Sequence, residues 1–264
     1  MKILLRGVPA IVPFLVAGVL AGCTSPAPGA GADGSAAPSS VATATTEEPA
    51  PDGSDQPAIA ACEAVELRAE QTVSGQDLGD CVAAAMVAAG SGVQRVESSD
   101  GTSDVVHFRW DPDYSMSING AEREVVVKGE TGWVRFPGQG WVQADSSSAD
   151  PAVVMATSIV ELVRVFSDPR VLATGFATSD TWTVVGEENP PVDDADATTT
   201  YLLTPDTPMT VMDVALSDVE LYLRPDHLGA YAVGTGTFAG ISTTTSNTFT
   251  QWGGEVDIPD PTEE

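Results

Sequence analysis

Basic residues are scarce in this 264-residue sequence: 11 Lys and Arg stand against 38 Asp and Glu, a formal charge of −27. Contacts to phosphate backbones need a basic surface, so a nucleic-acid partner is excluded. The same charge repels anionic headgroups, leaving the folded surface no electrostatic hold on a membrane. Histidine is nearly absent as well. His107 alternates with Val106 and Phe108 on a strand-like run, and His227 follows Pro225 and Asp226 at a turn. No H-E-x-x-H, no G-x-S-x-G elbow and no phosphate-binding loop occurs, so the chain reads as a non-enzyme with no cofactor and no metal. Gly29, Gly31 and Gly34 match G-x-G-x-x-G in spacing, but no strand precedes them and no helix follows. Asp111 with Asp113 flanks a proline turn, while Asp193, Asp194 and Asp196 lack the EF-hand glycine and terminal glutamate. Both groups read as solvated loop carboxylates.

Long apolar runs are also missing, with one exception at the start. Lys2 and Arg6 precede an apolar stretch from Val8 to Leu20, which is the order of a secretory leader. A membrane-spanning helix needs about 20 apolar residues, and this stretch is shorter and broken by Pro9, Pro13 and Gly18. It ends in Leu20, Ala21, Gly22 and Cys23, which resembles the bacterial lipobox. That resemblance implies cleavage after residue 22, acylation of Cys23, and attachment to the outer face of the cell membrane through the acyl groups. More than one chain is needed, because a single acyl chain holds only marginally at about 0.8 kcal/mol per buried methylene. From residue 24 to about 60 the sequence is Ser, Pro, Gly, Ala, Thr and acid, without aromatics, and it cannot bury a core. Such a segment is a disordered tether spanning on the order of 30–35 Å. The remaining stretch, 61–264, is one domain's worth of sequence.

Only two further cysteines exist, Cys62 and Cys81. In an exported chain they are expected to be joined. Alanines between Gln76 and Gly92, with Gly90 at a C-terminal stop, predict a helix. Short β-branched and aromatic runs follow at 105–110, 114–118, 124–128, 132–136 and 141–144, separated by turn residues, as in a meander. The period then changes. Met155, Ile159, Leu162 and Phe166 recur at helical spacing behind the cap Asp150 and Pro151, with a stop at Ser167-Asp168-Pro169. Strand-like runs resume at 181–186, 198–203, 219–223, 230–233 and 238–252, interrupted by an acidic loop around Asp193. The pattern predicts an α+β fold, a large curved antiparallel sheet forming a half-open barrel covered by two or more helices.

The run GWVRFPGQGWV from Gly132 to Val142, the helix ending in FSDP at 166–169, and the closing TFTQWGGEVDIPDP from Thr248 to Pro261 are similar to actinobacterial lipoproteins of the lipoprotein-carrier (LolA-like) superfamily. The resemblance covers Gly79 to Pro261. It implies a half-barrel whose hollow accommodates acyl chains, and hence an envelope lipoprotein that binds or carries a lipid or glycolipid. Trp133, Trp141, Met155, Ile159, Leu162 and Phe166 are then the candidate lining of an apolar hollow between sheet and helix. The alternative is a surface-anchored binding or regulatory module with a filled core that recognises protein or glycan. Later strands rich in Ala, Thr and Gly, and the acidic loop near Asp193, depart from the family pattern.

Overall fold

The computed structural model describes residues 59–111, 113–195, 199–212, 214–238 and 240–262. The leader, Cys23 and the tether lie outside the described residues. After a short 3-10 turn at Ala60–Cys62 come β1 (Thr72–Ser74), α1 (Gly75–Ala89), β2 (Ser91–Ser98), β3 (Ser103–Arg109), β4 (Ser115–Gly120), β5 (Glu124–Lys128), β6 (Thr131–Arg135) and β7 (Val142–Gln143). Two helices follow, α2 (Pro151–Phe166) and α3 (Pro169–Phe176), and then β8 (Thr181–Glu187), β9 (Tyr201–Pro205), β10 (Met209–Val211), β11 (Val214–Leu223), β12 (Gly229–Phe238) and β13 (Ile241–Trp252).

Local sequence explains each helix. Ser74 caps α1 by accepting from the Asp77 amide at 3.0 Å, and Gly90 ends it at a left-handed φ of 76°. Asp150 with Pro151 starts α2, and Asp168 with Pro169 starts α3 by the same device. The Ser167-Asp168-Pro169 triplet is therefore both a stop and a start. The sequence reading saw the stop alone and missed α3.

All the strands pair antiparallel in one sheet ordered β1-β8-β9-β11-β12-β13-β2-β3-β4-β5-β6-β7, with β10 paired to β11 off that path. This is the expected α+β half-open barrel, with three helices on its inner face. β2 was not expected as a strand. Gly, Ser, Gln and Arg dilute its apolar residues, yet it bridges the halves of the sheet by pairing with β13 and β3.

Two core clusters fill the inner face. Leu78, Cys81, Val82 and Met86 of α1 and Phe176 of α3 pack on Trp182, Leu203, Leu221 and Leu223. Ala156, Ile159, Val160 and Val163 of α2 pack on Val106, Ile118, Val125, Val134 and Phe249. Trp110 and Trp252 touch both clusters. With Phe108 and Phe249 they form an aromatic seam whose ring centroids lie 4.6–6.4 Å apart. The disulfide between Cys62 and Cys81 ties the entering chain to α1.

The outer face is covered by two straps. The acidic loop lays Val192 against Leu202, Tyr222 and Tyr231, and Asp194 takes both terminal nitrogens of Arg95. The C-terminal segment crosses the neighbouring strands, where His107 Nδ1 meets the Asp257 carbonyl at 2.7 Å and Lys128 Nζ lies 3.3 Å from Asp260.

Candidate functional site

The helix caps that shape the fold also frame a large cleft. α1 presents Ala83, Ala84, Val87 and Ala88 away from the core, and Ala173 of α3 and Ala177 at its C-terminal cap lie beside them. Small side chains on both helices let the backbones approach. A Cβ on Gly79 would stand 2.5 Å from the Ala173 carbonyl oxygen, and one on Gly75 would stand 2.0 Å from that of Ser179. Above this floor, Trp110 and Tyr114 reach over from the β3–β4 connection, Gly129 and Glu130 from the β5–β6 turn, and Arg164, Ser167 and Asp168 from the α2–α3 junction. The cleft is open to solvent on one side and has a volume of about 1090 Å³. Small-molecule sites typically occupy about 300–1,000 Å³ and combine an apolar wall with a few fixed polar groups. This cleft has that make-up.

The polar rim is held by hydrogen bonds. Trp110 Nε1 donates to the Ser167 carbonyl at 3.2 Å, and the Tyr114 and Ser167 hydroxyls meet at 2.5 Å. Burial pushes the Tyr114 phenol up to about 12, partly offset by its bond to Ser167. Asp168 accepts three hydrogen bonds from the Arg170 guanidinium, which hold its carboxyl below the ordinary range. Arg164 Nη2 donates to the Gly129 carbonyl at 3.0 Å.

Behind the cleft, inside the half-barrel, lies a void of about 20 Å³ lined by Met86, Gln94, Phe108, Met116, Phe166, Leu172 and Phe249. A water needs about 10–15 Å³ by this measure, so the void has room for about one. Trp110, Ser167, Asp168 and Pro169 border both spaces.

The six residues expected to line an apolar hollow are not brought together. Trp133 alternates with Gly132 and Val134, which face α2, and so lies on the opposite side of the sheet. Trp141 carries the Arg135 guanidinium 4.5 Å above its ring, and Arg135 shares the face of Trp133. On α2, Ile159 faces the sheet at 4% exposure while Met155 is 55% exposed. Leu162 and Phe166 are half-buried, and Phe166 alone of the six reaches the interior void. The helical period was read one step off: the buried stripe runs through Ala156, Ile159, Val160 and Val163. The alanines of α1 were read as helix formers, with no signal that one of their faces stays open.

Among the described residues, metal-ligating atoms converge in threes at Cys62, Cys81 and His227. The two sulfurs are bonded to each other, and His227 Nε2 lies 3.1 Å from the Val65 carbonyl. No described helix is long and apolar enough to cross a membrane.

No protein-family model and no curated protein matches the chain. Solved structures do. Lipoprotein LppX of Mycobacterium tuberculosis is 14% identical over 70% of this chain and 98% of its own, with a TM-score of 0.42. A LolA superfamily protein from Nitrosomonas europaea is 12% identical over 71% and 96%, with a TM-score of 0.28. The MucA/MucB complex of Pseudomonas aeruginosa is matched at 18% identity over 67% and 56%, with a TM-score of 0.30.

Proposed function

We propose that this chain is a membrane-anchored envelope lipoprotein that binds an amphipathic molecule in the cleft between α1, α3 and the α2–α3 junction. The observation that carries the reading is the make-up of that cleft: an alanine floor on two helices below a rim of Arg164, Ser167, Asp168 and Tyr114. Apolar chain laid on the floor gains about 0.8 kcal/mol per buried methylene, and the rim offers hydrogen bonds to a polar head. The interior void is too small for an acyl chain, so the ligand seat is placed outside the aromatic seam. Anchoring is assigned to acyl groups on Cys23, since the acidic surface gives anionic headgroups no purchase.

The test is mass spectrometry of organic extracts from the Cys23→Ser protein, purified after secretion without detergent, so that bulk membrane is left behind. An amphiphile near one equivalent is expected, and Ala84→Trp, which fills the cleft from the solvent side of α1, should remove it. Retention of the full equivalent in Ala84→Trp would place the ligand elsewhere. The packed interior favours a second reading, a binding module that recognises protein or glycan with its surface. An empty extract from the Cys23→Ser protein would select it.

A further inference from the structure

The charge pattern of the domain singles out one arginine of the cleft. Nine Lys and Arg fall within the described residues. Seven of them lie within 4.0 Å of a carboxylate: Arg68 with Glu66, Arg95 with Asp194, Arg123 with Asp104, Lys128 with Asp260, Arg135 with Glu124, Arg170 with Asp168, and Arg224 with Asp226. In a chain carrying 38 acidic residues that degree of pairing is expected, and the exceptions are informative. Among the described residues, Arg109 and Arg164 have no carboxylate within 4.0 Å. Arg109 lies on the outer face of β3 and donates to the Ser115 hydroxyl. Arg164 lines the cleft, held there by the Gly129 carbonyl through one terminal nitrogen, which leaves its remaining N–H donors without an acceptor among the described residues.

Three carboxylates share the cleft with Arg164, and one is neutralised, Asp168 by Arg170. Asp80 keeps its charge while accepting from the Gln76 amide at 2.8 Å, and it is exposed to solvent, which screens it. Glu130 is exposed on its turn, where solvent screens it. Arginine presents five donors in a planar fork that matches carboxylate and phosphate oxygens, and a fork at the edge of an apolar floor is charge-complementary to an anionic head.

Resting on the amphiphile reading above, we infer that Arg164 selects the ligand's head, so that the cleft takes amphiphiles bearing a phosphate or carboxylate in preference to neutral ones of the same chain length.

The experiment compares dodecyl phosphate, dodecan-1-ol and inorganic phosphate, each titrated below its aggregation limit and followed by tryptophan fluorescence, since Trp110 lines the cleft. Wild-type protein is expected to bind dodecyl phosphate at least tenfold more tightly than dodecan-1-ol, and to show no saturable binding of inorganic phosphate at matching concentrations. Arg164→Gln should abolish the preference by weakening dodecyl phosphate at least tenfold while dodecan-1-ol loses far less, and Arg164→Lys should restore part of it. Equal affinity for the two amphiphiles in wild type, or a preference that survives Arg164→Gln, overturns the inference but not the cleft. Binding of neither amphiphile overturns the reading beneath it. Inorganic phosphate binding as tightly as dodecyl phosphate would mean that the site takes free anions and not amphiphiles, which overturns both.

Discussion

Replacing Gly79 by alanine sets two known effects against each other on the floor of the cleft. Alanine is favoured over glycine in a helix interior by about 1 kcal/mol, so on helix propensity alone α1 gains. The new methyl, however, would stand 2.5 Å from the Ala173 carbonyl oxygen, 2.9 Å from its Cα and 3.0 Å from its carbonyl carbon. All three atoms are backbone, so no side chain can swing aside. Restoring a normal contact distance requires α1 and α3 to separate by about 1 Å, and such overpacking typically costs about 1–3 kcal/mol. The net expectation is a loss of about 1 kcal/mol, a fall in melting temperature of about 2–4 °C for a domain of this size. Differential scanning calorimetry measures it, with Ala83→Gly on the same helix as the control for propensity without new contact. The two helices also carry Ala84 and Ala177, so their separation should weaken dodecyl phosphate binding in the same variant. A melting temperature that rises by the propensity gain would refute the close packing of α1 on α3.

Four further outcomes are expected. Cys62→Ala with Cys81→Ala should cost about 3 kcal/mol on the chain-entropy model, read as a lower denaturant midpoint, and an unchanged midpoint would show the bridge to be inert. Arg95 holds the Asp194 carboxyl below its ordinary value. The strap therefore gains from this pair above that ordinary value and loses it as pH falls through the lowered one. Hydrogen exchange at 187–195 should accelerate over that acidic range in wild type and show no such step in Arg95→Gln. Tyr114, raised to about 12, stays protonated while ordinary tyrosines ionise near pH 10, so the fold keeps its contribution below that point and loses it as pH rises toward 12. Tyr114→Phe should remove a late-titrating phenol from the 295 nm absorbance curve, and an unchanged curve would contradict the burial argument. Cys23→Ser should release the protein from the membrane fraction, and full retention would rule out anchoring through that cysteine.

Much of the fold was legible because short-range chemistry marks it. Asp150-Pro151 announced α2, Gly90 closed α1, and the Gly129 turn separated β5 from β6, while Asn119-Gly120, expected as a turn, ends β4 and the turn follows at 121–123. β2 was lost because Gln94 and Arg95 break its apolar alternation, and one of the two partners that fix it, β13, is remote in sequence. α3 was lost because a proline after an aspartate was read only as an end. The cleft was not legible at all. Its floor is the open side of an alanine helix, and nothing in Ala83, Ala84 and Ala88 distinguishes a face that borders space from one that meets water. Trp133 and Trp141 were attractive as ligand walls because tryptophan is large, but register puts Val134, not Trp133, toward α2. The acidic loop, which fits no family pattern, acquires a role only once Val192 is seen against Tyr222 and Tyr231 on the outer face.

The most direct test of the ligand seat is photolabelling with a diazirine-bearing dodecyl phosphate, followed by peptide mapping. Labels are predicted on the segments 76–88, 110–114 and 164–177, competed away by unlabelled dodecyl phosphate and absent from Ala84→Trp. Saturable labelling confined to the outer-face residues around Trp133 and Trp141, and unaffected by Ala84→Trp, would contradict the assignment of the cleft as the binding site.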